Sequence, residues 1–146
     1  MVVHSATCER IVVALLIGVL LALAVGVFAT GVGLDRDRAF YPTVTIVIAL
    51  LYALFAVMGE STDALARESL AGAVFIGLAV IGFKWSLWVA VAALAGHGAF
   101  DFIHAGLISN PGVPQWWPEF CGAYDVTAAV YLAWLLKTGR ARASAV

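Results

Sequence analysis

The sequence predicts an all-α membrane protein, a bundle of five transmembrane helices forming one domain over residues 1–146. Three observations predict it. Hydrophobic residues make up 64% of the chain and charged residues 12%, where soluble domains carry roughly 25% charged. Apolar runs of about 20 residues, the length that crosses a bilayer core, follow one another along the chain. Between them stand GLDRDRAFYP, GESTD, GFKW and SNPGVPQWWP, each with the charge, glycine or proline that ends a helix.

The first run, 10–33, holds no charge from Ile11 to Leu34. That is too long for the apolar region of a signal peptide, so it reads as a retained helix. The second run is 40–58. The third, 62–82, has Asp63, Arg67 and Glu68 in its first two turns, so a four-span version with 62–69 as an outer loop stands as the alternative. The fourth and fifth are 85–108 and 118–137. With five spans, Arg36, Arg38, Lys84, Lys137, Arg140 and Arg142 fall on one side, and Arg10 and Arg67 on the other. Cytoplasmic loops carry the excess of Lys and Arg, so the N-terminus is expected outside and the C-terminus in the cytoplasm. Trp85 and Trp88 then lie at the inner interface and Trp116 and Trp117 at the outer one. The expected location is the bacterial inner (plasma) membrane, multi-pass.

A net charge of −1 offers no basic face, which excludes nucleic acid as a partner. Cys8 and Cys121 lie outside any C-x-x-C pattern, so they form neither a disulfide framework nor a zinc signature. The expected partners are membrane lipids or a lipophilic small molecule, and a homo-oligomer is compatible with the sequence.

Ionisable residues inside membrane helices cost roughly 2.5–3.5 kcal/mol for Asp near a helix centre and usually mark function. Glu68, His97, Asp101, His104 and Asp125 are such residues. His97, Asp101 and His104 are spaced i, i+4, i+7 and share one stripe of the fourth helix. Counting about 1.5 Å per residue from the outer helix ends puts Glu68, Asp101, His104 and Asp125 in one layer, with His97 deeper as a floor. Around them, Trp116 and Trp117 in NPGVPQWW read as a lid against a lipophilic ligand, or as a plain interfacial turn. Asn110 reads as a helix cap or part of the site. Tyr52 and Tyr124 are candidate hydroxyl donors for the ligand or packing aromatics.

Three chemistries fit these residues. The leading one is acid–base catalysis on a lipophilic molecule, of isomerase, cyclase or epoxide/ester hydrolase type, with no cofactor. Buried, neighbouring carboxylates and histidines can be poised as an acid and a base near neutrality. Asp101 and Asp125 are the principal pair, His97 and His104 orient or share the proton, and Glu68 is the third carboxylate. The second is a metal-dependent membrane hydrolase with a divalent ion on His104 and Asp101, or His97 and Asp101, plus Asp125 or Glu68, the set His104, Asp101 and Asp125 leading. His97 and His104 stand about 10.5 Å apart along the axis, too far to share one ion easily. The third is a non-enzymatic lipid-binding or accessory subunit whose polar groups tie helices together at about 0.6 kcal/mol each. Neither Ser69 nor Ser109 sits in a G-x-S-x-G turn. Cys121 reads as a core cysteine or as a thiol nucleophile beside His104.

The segments DRAFYPTVTIVIALLYALFAVMG and GHGAFDFIHAGLISNPGVPQWWPEFCGAYDV resemble a family of small bacterial integral membrane proteins of about this length. The likeness runs from about residue 30 to residue 137; it implies a multi-pass fold but carries over no activity and no catalytic residues. In layout the chain also looks loosely like the alkaline ceramidase and adiponectin receptor hydrolases. Those hold zinc with more histidine than this chain's three residues supply. It is similar too, as an analogy, to small sterol isomerases and integral membrane terpene cyclases, which use buried carboxylates in an apolar pocket. Span counts differ, so these likenesses bear only on the class of chemistry.

Overall fold

The computed structural model describes residues 2–141, with side chains from Thr7 onward. Five helices follow one another: α1 (Val2–Val32), α2 (Phe40–Met58), α3 (Thr62–Lys84), α4 (Leu87–Leu107) and α5 (Trp117–Lys137). All but one expected boundary agree within about two residues. The exception is α1, which begins at Val2 rather than near residue 10. HSATCER is polar, so hydropathy breaks there, but it contains neither proline nor glycine to break the helix. Segment 62–69 is helical and not a loop. Its start is secured by Ser61, whose hydroxyl accepts from Ala64 N at 3.2 Å, by Asp63 in the first turn, and by the Arg67–Asp63 pair at 3.0 Å.

Helices α1 to α4 are long and apolar enough to cross a membrane. Helix α5 is as long as α4, but Glu119, Asp125 and Lys137 lower its hydropathy. Leu70 is 72% exposed and Phe28 62%, while Glu68, Asp101 and Asp125 are buried. Apolar outside and charged inside is the distribution a lipid solvent selects.

Helix α1 packs on α5, α5 on α4, α4 on α3 and α3 on α2, and α2 also touches α4. The close contacts use small residues. A Cβ added at Gly98 of α4 would lie 3.0 Å from Gly122 O of α5, and one added at Gly122 would lie 3.1 Å from Gly98 O. Only glycine lets the two backbones meet there, and such small-residue seams are how helices associate in lipid. On the other side of α4, Gly82 of α3 seats against Ala90. These two seams set the register of α4 against both neighbours. Leu87 and Leu94 of α4 and Leu132 and Leu135 of α5 fill the core beside the seam.

Between α1 and α2, Arg38 (φ 66°) donates to Gly82 O at 3.2 Å and Phe83 O at 3.0 Å. It places a cation on the carbonyl end of α3, where the helix dipole favours positive charge. Arg38→Ala is therefore expected to destabilise the fold by about 1 kcal/mol, read as a lower midpoint of thermal unfolding in detergent. A midpoint equal to that of the unaltered chain would remove the cap from the account.

Candidate functional site

Every ionisable residue singled out inside the helices is buried: Glu68, His97, Asp101, His104 and Asp125 are each at most 2% exposed. They do not form one layer. The structure sorts them into two groups along α4.

The first group lies between α4 and α5. His97 Nδ1 donates to Asp125 Oδ2 at 2.7 Å and stands 3.5 Å from Asp101 Oδ2. Cys121, one turn before Asp125, points its thiol at the same Asp125 oxygen at 3.9 Å. Neither oxygen of Asp101 makes a hydrogen bond of good geometry among the described residues, nor does Asp125 Oδ1; Tyr52, His97 and Cys121 surround Asp101 at longer or poorly aligned contacts. The second group lies between α3, α4 and the segment that follows α4. His104 Nε2 donates to Glu68 Oε1 at 2.7 Å, and Asn110 Nδ2 donates to that oxygen at 2.9 Å and to Tyr52 O at 3.0 Å. Asn110 therefore joins the second group; the cap of α4 is Ile108, whose N–H donates to His104 O. Gly112 N donates back to Asn110 Oδ1 at 3.2 Å, which fixes the side chain of Asn110 from both ends.

The regrouping follows from register. Gly98 opposite Gly122, with α4 and α5 antiparallel, brings Asp125 level with His97 rather than with His104. On the α3 side, Gly82 opposite Ala90 brings Glu68 level with His104. Equal depth counted from helix ends missed this, because it takes every helix to start at the same plane.

Aromatic rings wall both groups. Tyr52 stacks on His104 with centroids 4.0 Å apart and planes 18° apart, and it lies within electrostatic reach of Asp101, so it spans the two groups. Phe75 sets its edge against His97 at 4.7 Å, and Phe100 meets His104 at 5.4 Å. The two phenylalanines were not singled out from sequence, though the signal was present: Phe100 falls three residues after His97 and four before His104, on the same stripe, and Phe75 lies seven residues after Glu68.

Trp116 is half exposed and packs with Trp117 and Phe120, while Trp117 crosses Phe55 of α2 at 4.8 Å. Together they cover one end of a groove of about 1130 Å³ between α1, α2 and α5. Its walls include Ile17, Leu21, Ile48, Leu51 and Tyr124, with Glu9 and Arg10 among its lining residues. Cys121 also lines it. Cys121 thus borders both the groove and the His97, Asp101 and Asp125 group, with its thiol directed at Asp125. No family model matches the chain, and no curated protein and no solved structure is significantly similar to it. The functional reading rests on this geometry.

Chemically, each group holds a proton between an imidazole and a carboxylate in an environment without bulk water. His97, Asp101, Cys121 and Asp125 also offer nitrogen, oxygen and sulfur donors that all lie within 4.8 Å of one another, close enough to hold a metal ion. His104, which the sequence grouped with Asp101 and Asp125 as ligands, is turned to Glu68 instead.

Proposed function

We propose that this chain is a five-span protein of the bacterial inner membrane, N-terminus outside, that acts on a lipophilic small molecule by carboxylate and histidine acid–base chemistry. One observation carries the reading: Cys121 both lines an apolar groove and contacts Asp125 of a buried imidazole–carboxylate centre. A lipophilic molecule would partition from the bilayer between α1 and α2, with its polar end near Glu9, Arg10 and Trp116. Asp101, whose oxygens make no hydrogen bond of good geometry among the described residues, is the carboxyl group to give or take the proton. His97, held by Asp125, would pass that proton on. Proton transfer of this kind serves isomerisation, cyclisation or epoxide and ester opening, and a positioned acid or base contributes about 10²–10⁴-fold in rate.

The test is to incubate the purified chain in detergent with isoprenoid and acyl lipid extracts and follow consumption by mass spectrometry. Turnover that falls by about 100-fold or more in Asp101→Asn, with the protein still folded, is the expected result. Turnover unchanged in that variant would sink the assignment, and a lipid bound but never altered would favour a binding subunit. The orientation rests on six basic residues against two and has its own check. Cys8 is exposed on α1, so a membrane-impermeant maleimide should label it in spheroplasts while a C-terminal tag stays protected from protease. The reverse pattern would invert the topology.

A further inference from the structure

We propose that the α4–α5 centre binds one divalent transition-metal ion of the zinc type, held by His97, Asp101, Cys121 and Asp125. Each helix contributes two ligands one turn apart: H-x-x-x-D on α4 faces C-x-x-x-D on α5, across the Gly98–Gly122 seam. Residues at i and i+4 project from the same helix face, so two such pairs on antiparallel helices present four donors to one point. All four donor atoms lie within 4.8 Å of one another. Tetrahedral zinc with bonds of about 2.0–2.3 Å needs its ligand atoms about 3.3–3.7 Å apart. The separation of His97 Nδ1 from Asp101 Oδ2 is 3.5 Å, and that of Cys121 Sγ from Asp125 Oδ2 is 3.9 Å. To reach that geometry the 2.7 Å His97–Asp125 hydrogen bond opens by about 0.6 Å or more, as Nδ1 gives up its proton and turns its lone pair to the ion, and the wider donor separations, all within 4.8 Å, close.

A second observation points to the same occupant. Asp101 is 1% exposed and neither of its oxygens makes a hydrogen bond of good geometry among the described residues, its contacts with Tyr52, His97 and Cys121 being long or poorly aligned; Asp125 Oδ1 is likewise unpartnered. Two carboxylates buried with one imidazole as their only basic neighbour among the described residues are costly, and a dication in their midst supplies the missing charge. The donor set selects the ion. Calcium and magnesium take six or more oxygen ligands or retain water, whereas imidazole, thiolate and carboxylate in a four-coordinate set suit zinc. Glu68, His104 and Asn110 form no second site, because Asn110 donates to the very oxygen that His104 uses. Binding displaces the thiol proton of Cys121 and the Nδ1 proton of His97 to solvent, and four protein ligands close the coordination sphere, so the ion clamps α4 to α5.

The inference concerns the centre invoked under the proposed function. With an ion bound, Asp101 and Asp125 are ligands and proton transfer falls to Glu68 and His104. Metal binding is read without turnover, so the two ideas fail separately. The full chain, purified without chelator and then stripped, is titrated with Zn²⁺ and with Co²⁺ in detergent. The expected result is one ion per chain, a rise in the thermal midpoint, proton release, and with Co²⁺ a thiolate-to-metal charge-transfer band in the near ultraviolet. Cys121→Ser should lose that band, Asp101→Asn should weaken binding by roughly tenfold or more, and Glu68→Gln should leave both in place. Should the Cys121 variant fail to fold, alkylation of Cys121 in the unaltered chain serves instead, and Zn²⁺ should slow it. Folded protein that takes up no ion, or an ion bound equally well by both variants, overturns the metal site. Turnover that survives stripping of all metal supports the acid–base reading and leaves the binding result to decide the metal site.

Discussion

His97→Ala is expected to lower folding stability in metal-free protein by about 3–5 kcal/mol, the range seen when one partner of a buried pair is removed. The imidazole is the only basic group among the described residues that Asp101 and Asp125 share, and its ring also packs against Phe75. Truncation leaves two buried carboxylates with no basic partner among the described residues, only the weak thiol donor of Cys121 and the Tyr52 hydroxyl nearby, and a void beside them. The informative comparison is with the triple variant His97→Leu, Asp101→Leu, Asp125→Leu. Replacing a whole buried polar cluster with apolar residues of similar volume is often neutral or stabilising by about 1–4 kcal/mol. The triple variant is therefore expected to unfold at or above the denaturant midpoint of the unaltered chain, while binding no metal and turning over no substrate. That pairing of results would mean the cluster is kept at a cost in stability, which is the mark of a working site. A triple variant as unstable as His97→Ala would instead assign the cluster to helix packing, and the functional reading would lose its main support.

The helices were legible because hydropathy and helix breakers are local properties. Pro42 and Pro118 near helix starts, Ser61 as a cap and GFKW as a tight break all act within a few residues of themselves. The residues of the centre were legible for a related reason: His97, Asp101, His104, Glu68 and Asp125 are conspicuous where each charge is expensive. Their partners were not. Whether His104 meets Asp125 or Glu68 depends on how far α5 and α3 slide along α4, and that is set by backbone contacts at Gly98, Gly122, Gly82 and Ala90. No single helix encodes these contacts. The groove was invisible for the same reason, since it is a gap left between α1, α2 and α5. Asn110 could be placed near the site from its position after α4, but its bond to Glu68 depends on where Gly112 lets the following segment rest against Phe55 of α2.

If the glycine seam sets the register, Gly98→Leu should be among the most damaging apolar substitutions in the chain. A Cβ at residue 98 would lie 2.9 Å from Val126 Cγ2, 3.0 Å from Gly122 O and 3.2 Å from Asp125 Cβ. Val126 can turn away, but a backbone oxygen moves only if α5 moves, and α5 carries Asp125 away from His97 as it goes. Overpacking of this kind costs about 1–3 kcal/mol, and the larger effect falls on the site: the charge-transfer band of the cobalt form should disappear along with the matched distances that produce it. Gly77→Ala and Gly106→Ala are the controls, because a Cβ at either position meets nothing within 4 Å. Exchanging glycine for alanine inside a helix is expected to be neutral or to stabilise by about 0.5–1 kcal/mol. Gly122→Ala should fall between these, since its contacts are Phe102, an exposed ring free to swing outward, and Gly98 O at 3.1 Å. The predicted order of thermal midpoints is thus Gly77→Ala and Gly106→Ala highest, then Gly122→Ala, then Gly98→Leu. A Gly98→Leu protein that melts with the controls and still binds cobalt would show that α4 and α5 take their register from something other than this seam, and the pairing of His97 with Asp125 would need another cause.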